Sequence, residues 1–396
     1  MADKGIAFLA EGKLYLKPAG QPVRLVESQF AQQAADRAQQ AVQRNAWKTN
    51  STADATGMLP SALLWRQAAS ADVRVANVVG VTRGNNGELL FALNTNITGG
   101  LFAHNPADGS ERRLFHRNHF LARDISRHTS SDLIAVSLRK DDGTANIAVT
   151  NPDGRNLREV TEGDSVDESP RWAPGPNRRL IFQSAGVGRN QAGHFTALGP
   201  YAIEELDLDR EQMKTLAEAN DCDYLSPQIA EDGALWFIRR PYSERGHASY
   251  SPWKAALDVL LFPFRLARAF VHFFNFFSIV FSQKPLLTAG GPQRTQANAK
   301  SMMLWGKMID AEKAMKAAKD GAGASLVPRT WQLIRQAGNS QTVVAHSVLS
   351  YDLCADGGVV YSDGSTIFYQ TADVSVPATS VCTGKLIERV ISTDSP

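Results

Sequence analysis

An all-β chain folded as a β-propeller is the class this sequence predicts: six blades closed by N- and C-terminal strands, with a helical insert in one blade. Three observations predict it. A turn followed by a short apolar strand recurs about every 45 residues. Further turns within each period leave room for about four short strands. One long stretch, 243–328, belongs to no such period.

The repeat is read from its turns. Glu11-Gly12 precedes Lys13 to Leu16, Asn86-Gly87 precedes Glu88 to Phe91, and Ser131-Asp132 precedes Leu133 to Val136. Gly175-Pro176-Asn177, Asp232-Gly233 and Asp356-Gly357 introduce Arg179 to Phe182, Ala234 to Phe237 and Gly358 to Tyr361. Asn-Gly and Asp-Gly favour the positive φ angles of tight hairpins. A four-stranded sheet cannot cover its own faces, whereas radial sheets in a ring cover one another. Six units follow, at roughly 5–28, 73–119, 120–162, 163–218, 219–346 and 347–392. The first is short and the last reaches the C-terminus, so strands from both ends are expected to share the closing blade. A β-sandwich of similar spacing is the competing architecture.

The run from Ile147 to Thr161, with its Asp153-Gly154 turn, leads into Glu168-Ser169-Pro170-Arg171-Trp172-Ala173-Pro174 and the strand Leu180 to Ser184. This order of turn, strand end and Pro-x-Trp-x-Pro strand resembles the repeat of TolB-type propellers. Asp223 to Gly233 is a weaker copy. The resemblance is clearest over about 120–240 and implies a six-bladed fold with a protein-binding role. It also implies that the channel region receives a segment of a partner.

The organisation then reads as closing strands over 1–28, a helix and linker over 29–72, blades over 73–242, a basic Phe-rich insert over 243–328 and remaining blades over 329–396. Within 29–48, Phe30, Ala34, Ala38, Ala41, Val42 and Trp47 form the apolar face of a helix, with Ser28 as N-cap. It is expected to pack on the ring, with partner docking as the alternative.

From Glu244 to Arg329 the chain carries twelve Lys/Arg against five Asp/Glu, while its overall net charge is +2. It also holds eight of the eighteen phenylalanines: Phe262, Phe264, Phe270, Phe273, Phe274, Phe276, Phe277 and Phe281. Burying one such side chain is worth about 1.5–3 kcal/mol, so together they rival the stability of a domain. Asp258, Arg265, Arg268 and His272 interrupt any spanning segment and Pro263 would kink it. On a helical wheel Lys254, Asp258, Arg265, Arg268, His272 and Asn275 share one stripe, which describes an interfacial helix on a membrane surface. A hydrophobic groove of a protein partner, or the protein's own flank, would serve the same face. A second helix is expected over Gln296–Asp320, with Met302, Met303, Trp305, Lys307, Met308 and Met315.

At 43% hydrophobic and 21% charged the chain is neither disordered nor a polytopic membrane protein, and its small net charge gives no field for nucleic acid. Three cysteines without CxxC spacing form neither a disulfide framework nor a zinc site. The apolar run Ile6 to Ala10 is too short for an export signal, so a cytoplasmic protein, held at the cytoplasmic face of a membrane, is expected. No catalytic motif, cofactor fingerprint or metal-ligand spacing is present: Gly-x-Ser-x-Gly, Gly-x-x-x-x-Gly-Lys and His-Glu-x-x-His are all missing, and His116, His119 and His128 are loosely spaced.

Acidic residues do recur in the loops expected to lead into the innermost strands: Asp124, Asp164, Asp167, Glu168, Asp221, Asp223 and Asp352. At a channel mouth they could bind a basic peptide or a hard cation. The leading expectation is a non-enzymatic scaffold that binds protein partners within a larger complex. A metal-dependent propeller enzyme using these carboxylates is the alternative. The insert, lying between the second and third strands of its blade, is expected to project from the face carrying Asp221 and Asp223, with a basic segment drawn to Asp164, Asp167, Asp223 and Asp352.

Overall fold

Hairpins that close within a few residues build almost all of the structure, a computed structural model that describes residues 4–34, 36, 40, 76–95, 98–242, 301–304, 307–310, 325–384 and 386–394. It divides into two units, 1–243 with 313–396 and 244–312. In the first, β1 (Ile6–Ala10), β2 (Lys13–Lys17) and β3 (Arg24–Val26) form a meander. Glu11 and Gly12 join β1 to β2 with φ of 53° and 72°, the left-handed pair that a two-residue hairpin requires. A helix follows from residue 29. Ser28 caps it, its Oγ accepting the Ala31 N–H at 3.2 Å. Phe30 lies on Phe102 with ring centroids 5.0 Å apart, so the start of this helix packs against the neighbouring sheet, as its apolar face predicts. The later part of the 29–48 helix falls largely outside the described residues.

That neighbouring sheet is β4 (Asn77–Arg83), β5 (Leu89–Asn94), β6 (Thr98–His104) and β7 (Glu111–Asn118). Next come β8 (Ala122–Arg127), β9 (Ile134–Arg139), β10 (Ala145–Thr150) and the short β11 (Arg158–Glu159). A second meander, β12 (Ser165–Trp172), β13 (Arg179–Arg189), β15 (Ala202–Asp207) and β16 (Gln212–Ala217), carries β14 (Phe195–Leu198) on the extension of β13. These two meanders count as one nine-stranded sheet only through a single parallel bridge between Ala145 and Val166.

The following sheet is interrupted. β17 (Cys222–Ile229) and β18 (Leu235–Pro241) precede the insert, and β21 (Gln332–Ala337) and β22 (Ser340–His346) follow it, in the order β17-β18-β21-β22. Within the insert the described residues are 325–328 and the strands β19 (Ser301–Leu304) and β20 (Lys307–Asp310), which pair antiparallel. This corrects the helix expected over Gln296–Asp320 at 301–304 and 307–310, and the rest of that span lies outside the described residues. Two short apolar runs separated by Trp305-Gly306 satisfy the hairpin pattern, and a glycine inside a helix costs about 1 kcal/mol. Phe262, Phe264, Arg265, Arg268, Phe270, Phe273, Phe274, Phe276, Phe277, Phe281 and Trp305 lie outside the described residues.

β23 (Ser350–Leu353), β24 (Val359–Ser362), β25 (Thr366–Gln370) and β26 (Thr379–Thr383) form the next meander. β27 (Ile387–Ser392) then returns to the other end of the chain and pairs antiparallel with β1, giving the order β27-β1-β2-β3.

Apolar layers between successive sheets hold the first unit together. Leu14 and Leu16 meet Phe91 and Phe102, and Leu90 and Leu101 meet Ile125 and Ile134. Ala135 and Ile147 meet Leu180 and Phe182, Ile181 and Ile203 meet Leu235 and Phe237, and Ile6 and Phe8 meet Val360 and Ile367. Strands covered on both faces need apolar residues at every position, which is why β9 and β10 are near-continuous apolar runs. β7 and β16, last in their meanders, are largely exposed and polar.

Candidate functional site

The first strands of the meanders converge, and their side chains meet across large sequence distances. Asp124 on β8 is buried at 2% exposure. It is held by Arg171 Nη1 of β12 at 3.5 Å and by Arg389 of β27. Asp352 on β23 pairs with Arg83 of β4, and its Oδ2 also accepts the Ser392 N–H at 2.9 Å. Arg83 Nε donates to the Ser392 carbonyl at 2.7 Å, tying β4 to β27. Gln228 of β17 donates to the Tyr351 carbonyl at 3.2 Å, and Tyr351 Oη donates to the Ser226 carbonyl at 2.7 Å, joining β17 to β23.

The seven acidic residues singled out in the sequence separate into two groups. Asp164 and Asp221 are exposed, in the loops before β12 and β17; Arg189 Nε donates to Asp164 Oδ1 at 2.8 Å. The other five lie within strands and are buried. Asp167 accepts Ser184 Oγ at 2.7 Å, and burial pushes its carboxyl above the usual range. Glu168 accepts Tyr201 Oη at 3.1 Å and pairs with Arg123. Asp223 accepts Arg240 Nε at 2.8 Å, with both side chains out of solvent. Burial pushes Asp124 up to about 7 against the opposing pull of Arg171. Their arginine partners were missed in the sequence. Arg171 sits inside the Pro170-Arg171-Trp172 motif and offered a signal; Arg83 and Arg389 offered none.

A cavity of about 1280 Å³ opens where the first strands end and turn into the second strands. Arg83, Arg171, Trp172, Gln228 and Asp352 are among its walls, and Trp236, Arg335 and Thr342 extend it along the face of the β17-β18-β21-β22 sheet. Gln228, Trp236, Arg335 and Thr342 are successive register partners across all four strands of that sheet, so they share one face. Trp172 Nε1 donates to the Ser126 carbonyl at 3.1 Å, and its ring lies 4.8 Å from that of His128, whose imidazole burial pushes below its ordinary pKa. The insert leaves from the other end of this sheet. Cys222 pairs with Pro241, and the Tyr242 N–H donates to the Asp221 carbonyl at 2.8 Å. Exit beside Asp221 is as the strand order predicts, but the cavity mouth is at the opposite strand ends, so the two do not share one face of this sheet.

Among the described residues no group of three or more His, Cys, Asp or Glu could hold a metal ion, and no helix is long and apolar enough to cross a membrane.

No family model matches the chain, and no curated protein matches it. Solved structures do. TolB from Acinetobacter baumannii aligns with a TM-score of 0.52 at 10% identity, over 100% of this chain and 68% of that one. The fold is that of TolB-type β-propellers. The nidogen/laminin complex aligns at a TM-score of 0.49 and 8% identity, over 98% of this chain and 97% of that one. The tricorn protease aligns at 0.47 and 12%, over 96% of this chain and 33% of that one.

Proposed function

We propose that this protein is a non-enzymatic propeller scaffold that holds a segment of a protein partner in the cavity where its first strands converge. The cavity carries the reading. Its volume, about 1280 Å³, exceeds the 300–1,000 Å³ usual for small-molecule sites and suits a stretch of extended chain. Its walls mix aromatic rings, guanidinium groups and amides, as peptide-binding surfaces do. The metal-dependent enzyme is the weaker reading because the buried carboxylates are engaged: Asp124, Glu168, Asp223 and Asp352 each face an arginine, and a cation placed there would be repelled by it.

The same proposal takes the ring as six blades, counting the two meanders of the nine-stranded sheet separately and the β27-β1-β2-β3 sheet as the closing blade. It also places the protein in the cytoplasm, with the phenylalanine-rich insert, residues 243–328, on a membrane surface or in a hydrophobic partner groove. Eight phenylalanines beside an excess of basic residues support that part.

A photo-crosslinker at Thr342, on the cavity wall, tests the central claim against one at Met213, which is 65% exposed on β16. Discrete protein adducts in cells from Thr342 alone are expected. The same adducts from both positions, or none from Thr342, would overturn it.

A further inference from the structure

The sequence suggested a basic segment drawn to acidic loops; the charges that meet in the structure argue for the reverse. Three guanidinium groups, Arg83, Arg171 and Arg389, face two carboxylates, Asp124 and Asp352, where the first strands converge. Arg83 and Asp352 balance one another. Among the described residues Arg171 and Arg389 share Asp124 alone, and all three of these side chains are at most 15% exposed. At least one positive charge is therefore in surplus in a largely dehydrated place. Arg171 is the member that lines the cavity. Its Nη1 is used, on Asp124 Oδ2 at 3.5 Å, the Ile125 carbonyl at 3.3 Å and the Pro170 carbonyl at 2.8 Å. Its Nε and Nη2 make no hydrogen bond among the described residues. A guanidinium has five N–H donors, and its side-on edge matches a carboxylate in bidentate fashion.

We infer that the captured segment is acidic, and that one of its Asp or Glu carboxylates docks on Arg171 at the floor of the cavity. This rests on the peptide-capture reading above and specifies the partner's chemistry. The added carboxylate brings the group to three guanidiniums and three carboxylates. A Lys or Arg in the same place would meet the surplus charge instead, in surroundings where water screens little.

The test is selection of a phage-displayed library of random dodecapeptides on the immobilised full chain. Selected peptides are expected to carry Asp or Glu at one fixed position. Changing that residue to Gln or Asn in a synthetic selected peptide should weaken binding at least tenfold, a comparison that needs no change in the protein. Arg171→Gln should abolish the preference, and Asp124→Asn, which leaves two guanidiniums unopposed, should strengthen it. Selected peptides with a fixed Lys or Arg, or with no acidic preference, would overturn the inference and leave peptide capture standing. Failure to select any peptide would overturn both.

Discussion

Asp223→Asn gives a sharp test of how the first unit is held together. Asp223 and Arg240 form an ion pair at 2.8 Å with side chains 1% and 0% exposed. The Arg240 guanidinium also lies 4.8 Å from the ring centroid of Trp331. Asparagine keeps the volume and the carbonyl oxygen that accepts the Tyr201 N–H at 3.1 Å, but it puts an amide donor where Asp223 Oδ2 accepts Arg240 Nε, so the substitution removes the charge and that hydrogen bond. Removing one member of a buried pair costs about 3–5 kcal/mol. With a urea m-value of about 3 kcal/mol/M, the upper end for small proteins, the midpoint should fall by about 1 M or more. The double variant Asp223→Asn with Arg240→Met removes both charges and keeps an apolar chain over Trp331. It should recover most of the loss, since apolar replacements of buried pairs are often neutral. The measurement is equilibrium urea unfolding of wild type, both single variants and the double. A single Asp223→Asn variant within about 1 kcal/mol of wild type, or a double variant no better than the singles, would refute the argument.

Asp124 gives a pH prediction. Its folded-state pKa of about 7 lies above the unfolded carboxylate value, so its contribution to stability is fully present at low pH and is lost as pH rises towards 7; melting temperatures of wild type minus Asp124→Asn should fall between pH 4 and 7, and a flat difference would count against it. Burial pushes the thiols of Cys354 and Cys382 up to about 11 and raises that of Cys222, so none should react quickly with an aromatic disulfide reagent at pH 8 until the protein is unfolded, when all three should. Replacing 244–324 by a short flexible loop should leave the melting temperature within a few degrees of wild type, because the insert departs from and returns to adjacent antiparallel strands in which Arg239 pairs with Gln332; the shortened protein should also lose sedimentation with anionic vesicles, and retained sedimentation would remove the membrane role of the insert.

The meanders were legible because their pairing is local. Asn86 and Gly87 turn with φ of 53° and 77°, and Gly233 and Gly357 with 80° and 78°, as the repeated turn dipeptides require. The unit boundaries expected at 73–119 and 163–218 enclose β4 to β7 and β12 to β16 for the same reason. The Ser28 cap is a three-residue signal and was read the same way. The Gln296–Asp320 helix was misread because two short apolar runs, Met302 to Trp305 and Met308-Ile309, fit a helical face as well as a hairpin. The length of each run and the glycine between them favour the hairpin.

The cavity's charge was illegible for a physical reason. Asp124, Asp167, Asp223 and Asp352 are evident as acidic residues, and a local reading makes their surroundings negative. Each Coulomb partner, however, is chosen by the fold: Arg83 reaches Asp352 from 269 positions away, and Arg389 comes to Asp124 from the last strand of the chain. Charges brought together in a dehydrated centre interact far more strongly than charges counted along a sequence, because water no longer screens them. One additional buried arginine then outweighs several exposed aspartates in deciding what may enter. That is why an acidic-looking set of strands can present a cation to its cavity, and why Arg171, with two of its three nitrogens unengaged among the described residues, carries the proposed recognition of an acidic segment.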